Sequence, residues 1–264
     1  MEKSFWDIKK RIYRSIKYRL TRPSPPPSPC SFTGPVVVVG SAPVSNRPAG
    51  FDDGFSVITI NGSQWVASQW GVEVPDITML MFHQVEGTTY NAREVRRVLS
   101  GRRTKALFLL LWRKKDRARL ERLLAGFNYG YDYLYIVDRY ERMALLDRMT
   151  GMRSLELDAE SKCSNGVNAV LFALYHGAPA VIITGIDPNS SGHVYNNAGE
   201  GRLHVQMDTI ILQRLLAAGR PIFTADPAVA AATGIPAWTE ELANARRAAA
   251  VAGPGAGVQA ADRP

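Results

Sequence analysis

Four consecutive valines, Val36 to Val39, stop at Gly40. Successive residues of a strand point to opposite faces, so an all-apolar run leaves neither face for water. Such a strand belongs in the middle of a parallel sheet covered by helices. Comparable runs recur at 56–60, 77–82, 106–111, 133–137, 180–184 and 222–225. Between them, apolar residues at three- and four-residue steps predict helices over 91–99, 116–125, 140–148, 166–176 and 205–218. Alternating strand and helix predicts an α/β fold, with one domain over 35–242 built on a mostly parallel sheet flanked by helices.

The two ends are different material. Phe5, Ile8, Ile12, Ile16 and Leu20 form the stripe of an N-terminal amphipathic helix over 1–22, flanked by Trp6, Tyr13 and Tyr18. Eight Lys and Arg against Glu2 and Asp7 give this segment +6 of the chain's net +8. A helix of this kind lies on an anionic membrane surface with its aromatics at headgroup level, or docks by its charges on its own domain. The high isoelectric point therefore describes a tail and not a basic fold, and no nucleic-acid partner is expected. Residues 23–34 carry Pro23, Pro25, Pro26, Pro27 and Pro29 and read as a stiff, extended linker. Residues 243–264 are rich in Ala and Gly and read as a disordered tail beyond a short Ala-rich helical piece. Cys30 and Cys163 are too few for a disulfide framework or a zinc site. No apolar run reaches a membrane span and no signal-peptide core follows the basic start, which points to a cytoplasmic protein.

Small and polar residues gather where predicted strands end. Gly40, Ser41 and Ala42 follow the first strand, and small residues there let backbone amides approach a phosphate or make a tight turn. The loop is neither G-x-G-x-x-G nor a P-loop. Asn61 follows the second strand, where its amide can meet a ribose or base edge or cap the next helix. His83 stands just past the third strand.

The most informative stretch runs from Lys162 to His204. Lys162, Cys163, Ser164, Asn165 and Gly166 lead into an apolar helix whose first amides make an anion site, with Ser164 also suited to a plain N-cap. Lys162 can balance a phosphate or carboxylate. Gly185, Ile186 and Asp187 close the next strand, and Asp187 can accept from a ribose or sugar hydroxyl. Tyr195 anchors the polar loop over 189–200, and its hydroxyl can donate to a departing phosphate or sit at the rim. His204 opens the last long helix and suits a general base at neutral pH, with Arg202 beside it for the leaving group. His176 and His193 compete for that role, His176 being better placed to meet a helix dipole. No D-x-D is present, since Asp52 and Asp53 belong to an Asp-Asp-Gly turn. This argues against a metal-bound diphosphate sugar and for a monophosphate leaving group.

With these motifs in this order, the chain resembles the bacterial lipooligosaccharide sialyltransferase family. The resemblance is best over 162–236 and also covers 36–61. It implies a single Rossmann-like domain with a short lid loop, no cofactor and no metal, and CMP-sialic acid as donor substrate. It further implies that Ser41, Ala42 and Asn61 contact the CMP moiety, with Gly40 forming the turn before them. Ser164, Asn165 and Gly166 would hold nucleotide and sugar carboxylate, with Asp187 near the nucleotide. Tyr195 would assist phosphate departure and His204 would be the base. The implied partners are a CMP-sugar and a glycan or lipooligosaccharide acceptor, with a homo-oligomer left open. The implied location is peripheral, on the inner face of the plasma membrane, through a basic segment that is amino-terminal here and carboxy-terminal in the family. The chain departs from the family at Ser41, where Asn is usual, and at Pro188 and Asn189, where a loop tyrosine is usual.

The expected reaction is inverting transfer of a 2-keto-3-deoxy acid sugar to a glycan hydroxyl. The residues leave three alternatives open: a CMP-Kdo transferase with retaining chemistry through a carboxylate such as Asp187, a nucleotide-dependent pyrophosphokinase, and a non-catalytic nucleotide-binding module.

Overall fold

The computed structural model describes residues 5–187, 190, 192–195 and 203–252. Seven strands form one sheet: β1 (Val36–Val39), β2 (Ser56–Ile60), β3 (Ile77–Met81), β4 (Arg103–Leu110), β5 (Gly130–Val137), β6 (Val181–Thr184) and β7 (Ile222–Thr224). Their spatial order is β5-β4-β3-β2-β1-β6-β7, and every pairing is parallel. The chain steps outward from β1 to β5, then returns across the sheet to place β6 on the other side of β1. Val36 lies in register with Ser56 on one side and Val181 on the other.

Each strand sends alternate residues to opposite layers, as the valine run requires. Val36 and Val38 join Ile58, Met79, Phe108 and Ile183 under α7 (Asn165–Tyr175) and α8 (Val205–Ala217). Val37 and Val39 face the other way, with Val57 and Ile182, toward α2 (Gln64–Ser68), Trp238 and α10 (Glu240–Ala252). The same layer continues over Leu80, Leu107 and Leu109, which pack on α4 (Tyr90–Leu99) and α5 (Arg117–Gly126). All four valines are fully buried. At roughly 1.5–3 kcal/mol each they match the scale of a whole domain's net stability, so this strand organises the rest.

The predicted strands and helices form, with short differences at their ends. β4 begins at Arg103 and β5 at Gly130, earlier than expected, because their first turns carry exposed polar residues that hide the apolar pattern. Among the described residues α3 (Phe82–Glu86) directly continues β3, and α6 (Arg139–Thr150) opens with a capping box between Asp138 and Glu141. α9 (Pro227–Thr233) follows β7.

The proline-rich segment is extended, as expected, but it is not a detached spacer. Phe32 is buried edge-on against Phe172, and the Pro26 carbonyl meets His176 Nε2 at 2.9 Å. His176 is the C-cap of α7, and burial lowers its pKa. The boundary expected after residue 242 falls inside α10, which is held by buried Ala243 and by Arg247 donating to the Gly50 carbonyl at 2.8 Å. The remaining tail, 253–264, lies outside the described residues.

The N-terminal helix, α1 (Phe5–Thr21), docks on the domain with its polar side. Lys10 Nζ donates to the Leu157 carbonyl at 2.7 Å, Arg14 donates to Leu155 and Glu156 carbonyls, and the Tyr18 hydroxyl meets Asp147 at 3.1 Å. The apolar stripe faces outward, with Phe5 66%, Ile12 54% and Leu20 79% exposed.

Behind the sheet's carboxyl edge, the buried Asp226 carboxylate gathers three chain segments. It accepts from Asn46 N–H (2.9 Å), Asn46 Nδ2 (2.8 Å), Thr184 Oγ1 (3.0 Å) and Gly185 N–H (2.7 Å). Removing it strands buried donors, each worth about 1–3 kcal/mol. Asp226→Ala is expected to cost about 3 kcal/mol or more, seen as a lower urea midpoint with an unchanged slope.

Candidate functional site

An open sheet has its crevice where neighbouring strands lead their connections to opposite sides, outside the carboxyl ends. Here that point lies between β1 and β6. The two chains touch there without side chains between them. Gly40 N–H donates to the Thr184 carbonyl at 2.7 Å, and Ala42 N–H to the Gly185 carbonyl at 2.9 Å. A Cβ on Gly40 would stand 2.1 Å from the Gly185 oxygen, and Gly185 itself has a left-handed φ of +61°. Only glycine meets both demands.

A cavity of about 250 Å³ opens above this contact. Gly40 and Ser41 line it from β1, Asn61 from β2, Met81 and His83 from β3, and Gly185, Ile186 and Asp187 from β6. Ser164, Asn165 and Gly166 enter with the start of α7, and His204, Val205 and Asp208 with the start of α8. Eight of the sequence-predicted residues therefore share one cavity: Gly40, Ser41, Asn61, Ser164, Asn165, Gly166, Asp187 and His204.

The start of α7 is firmly built. Ser164 Oγ accepts from Val167 N–H at 3.2 Å, as an N-cap does. Asn165 and Gly166 are first-turn residues, whose amides have no acceptor within the helix. Gly166 sits against Ile186, since a Cβ there would lie 2.9 Å from Cδ1. Ser164 N–H donates to Asp208 Oδ1 at 2.8 Å, which ties α7 to α8. Asp208 went unread in the sequence, although it stands one helical turn beyond His204.

His204 is positioned by a backbone carbonyl. Its Nδ1 lies 2.7 Å from the Ala159 oxygen. A carbonyl can only accept, so Nδ1 carries the proton and the neutral ring keeps its lone pair on Nε2. His193 also lines the cavity, with Nδ1 2.7 Å from Ser41 Oγ, but a hydroxyl can donate or accept and fixes no tautomer. His176 lies at the opposite end of α7 and is not part of the site.

Three expected residues stand off the cavity wall. Ala42 is buried and its amide is engaged by Gly185. Tyr195 is buried with its ring on Gly62, where a Cβ would come within 2.8 Å of Cε1, and it stacks on His193 at 5.3 Å. Lys162 is half-buried among Arg14, Arg139 and Arg142, and burial followed by Arg139 lowers its pKa. Arg202 and most of the loop over 189–200 lie outside the described residues. Asn61 adopts a left-handed φ of +51° and accepts Met81 N–H on Oδ1 at 3.1 Å, while Ser63 Oγ, not Asn61, accepts the Ile60 amide.

Beneath the α7 start lies a buried cation that the sequence did not reveal. Arg142 donates to the Cys163 carbonyl (3.2 Å) and Asn165 Oδ1 (3.4 Å), and its Nε faces Glu156 Oε1 at 3.3 Å. Burial, partly offset by Arg142, pushes the Cys163 thiol up to about 12, so it is a packing residue and not a nucleophile. Among the described residues no group of three His, Cys, Asp or Glu side chains is arranged to hold a metal ion.

No protein-family model and no curated protein matches the sequence. Solved structures match it by fold. The chain is similar to the monofunctional α-2,3-sialyltransferase Cst-I from Campylobacter jejuni, at 12% identity and a TM-score of 0.50, covering 77% of this chain and 80% of that one. It is similar to CstII from the same organism, in complex with the substrate analogue CMP-3FNeuAc, at 12% identity and a TM-score of 0.51 over 78% and 86% of the two chains. CST-II with a trisaccharide acceptor and CMP gives 0.50 at 12% identity over 77% and 86%. At these identities the likeness is one of fold.

A buried pair costs most when one partner alone is lost. Arg142→Ala is expected to destabilise the protein by about 3–5 kcal/mol, whereas Arg142→Met with Glu156→Leu should recover most of that in chemical denaturation.

Proposed function

We propose that this protein is a glycosyltransferase that moves a 2-keto-3-deoxy acid sugar, sialic acid or a close relative, from CMP to a glycan hydroxyl. The observation that carries the reading is His204: an imidazole in the cavity at the strand switch point, with Nδ1 held by a carbonyl. Its Nε2 lone pair is then available to take the acceptor's proton as the hydroxyl attacks the anomeric carbon. The fold shared with sialyltransferases solved with CMP, CMP-3FNeuAc and a trisaccharide acceptor supports the same donor class.

The roles follow from position. Ser41 and Asn61 are assigned to the nucleotide, Asn61 through the Nδ2 left after Oδ1 accepts Met81 N–H. Asp187 is assigned to a ribose or sugar hydroxyl, and Gly40 to the close backbone approach beside it. Ser164, Asn165 and Gly166 present the positive end of α7 to the phosphate or the sugar carboxylate, where a helix start acts as about half a positive charge. As the C–O bond breaks, the developing negative charge on CMP is met there, and attack from the opposite face inverts the sugar. The donor is already activated by its phosphate, so neither cofactor nor metal enters this scheme. Tyr195 is assigned a supporting role, holding His193 by stacking, and Ala42 a structural one. Lys162 contributes positive potential from behind the α7 start.

The same reading gives α1 a place. Its exposed apolar stripe carries Lys9 and Arg19 along it, with Trp6 and Tyr13 at its side, and this suits an anionic leaflet such as the cytoplasmic one. On the strength of that exposed stripe the enzyme is assigned a peripheral seat; no helix among the described residues is long and apolar enough to cross a membrane. Ile12→Ser with Ile16→Ser is expected to release the protein from phosphatidylserine vesicles in a flotation assay.

The central test is His204→Ala. It should bind CMP as the parent protein does and lose about 10²–10⁴ in transfer rate from CMP-sialic acid or CMP-Kdo. Turnover near the parent rate would remove His204 from the role.

A further inference from the structure

We propose that Arg14 and Lys10 of the N-terminal helix position the catalytic base, acting through the backbone of residues 154–161. The inference rests on His204 being that base. An amphipathic helix normally buries its apolar stripe against its own domain. α1 does the reverse, and three successive carbonyls receive its cationic face: Arg14 Nη1 donates to Leu155 O at 2.9 Å and to Glu156 O, and Lys10 Nζ to Leu157 O at 2.7 Å. Glu156 takes a left-handed φ of +49°, a conformation that side chains other than glycine rarely adopt. The tie from α1, together with Arg139 Nη1 of α6 donating to Glu156 O at 2.8 Å, holds a turn that the chain would not favour alone.

That turn belongs to a small rigid unit. Ser154 Oγ donates to the Ser161 carbonyl and accepts Glu156 N–H at 3.1 Å. Ser161 N–H donates to Asp158 Oδ1 at 2.7 Å, while Asp158 N–H donates to Ser161 Oγ at 3.1 Å. These bonds link residue 154 to 161 and 158 to 161, so a displacement at one end is passed to the other. α1 holds the unit at residues 155–157, and two residues further on the Ala159 carbonyl holds His204 Nδ1 at 2.7 Å. The base is thus oriented by a backbone oxygen of a segment that two side chains of α1 and Arg139 of α6 hold from outside. Arg14 and Lys10 do not line the cavity; the contacts assigned to Ser41, Asn61 and Asp187 come from other segments, and Ser164 and Asn165 are also held by Asp208 and Arg142.

The test is steady-state release of CMP from CMP-sialic acid by the full chain, without vesicles and with water as acceptor. Arg14→Ala should lower kcat about tenfold, in keeping with the sensitivity of catalysis to small misplacements, with donor KM and CMP affinity within about twofold of the parent. Arg14→Lys keeps a donor for the carbonyls and should restore most of kcat. Arg11→Ala removes the same charge from an exposed position of α1 and should behave as the parent. If Arg14→Ala does not fold, Lys10→Met removes only the Leu157 contact, and a smaller fall in kcat at constant KM is then expected. Unchanged kcat in Arg14→Ala or, in its place, Lys10→Met overturns the proposal, as does a loss of CMP affinity alongside kcat. His204→Ala separates the two readings: if it turns over normally the base assignment fails, and if it is inactive while Arg14→Ala is normal only the role of α1 fails.

Discussion

The backbones leaving β1 and β6 meet at Gly40 and Gly185 more closely than any side chain would permit. Everything about the cavity depends on that contact. It ends both strands at the same level, so Ser41 and Asp187 rise from one rim and not from two heights. It also leaves the Gly185 amide turned toward Asp226, whose carboxylate fastens the segments after β1 and β6 together. The cavity floor is therefore backbone held by backbone.

Two buried charges stand behind the rim and divide the work. Asp226 braces the loops of β1 and β6, while Arg142 braces the loop entering α7 through the Cys163 carbonyl and Asn165. Neither lines the cavity. Loss of one such ion leaves its buried partners unpaired, which is costly. In this protein one holds the loops after β1 and β6 and the other the loop entering α7.

The sheet was legible because its signal is local. Val36 to Val39 and the run at 181–184 are apolar on both faces, and both became central strands. Residues at strand ends were legible for the same reason: small or polar types after an apolar run mark the carboxyl edge, and Gly40, Asn61 and Asp187 all reached the cavity. What stayed hidden depends on distant partners. Lys162 and Asn165 are near neighbours in sequence, yet one joins a cationic cluster and the other the cavity, because Arg142 and Glu156 occupy the space between loop and helix. Tyr195 faces Gly62, more than 130 residues earlier, which no pattern around residue 195 could announce. Asp208 had a readable cue in its four-residue spacing from His204, but its partner, the Ser164 amide, is a tertiary fact.

The order of the sheet also governs how the chain is made. β1 finds β2 about 20 residues later, but its other neighbour, β6, begins only at Val181. At roughly 5–20 residues per second a ribosome needs on the order of 7–30 s to deliver that partner. For that interval one side of an all-valine strand has no permanent neighbour, and its open edge resembles the segments that nucleate aggregation. A central place for β1 therefore leaves one of its edges open until β6 has emerged.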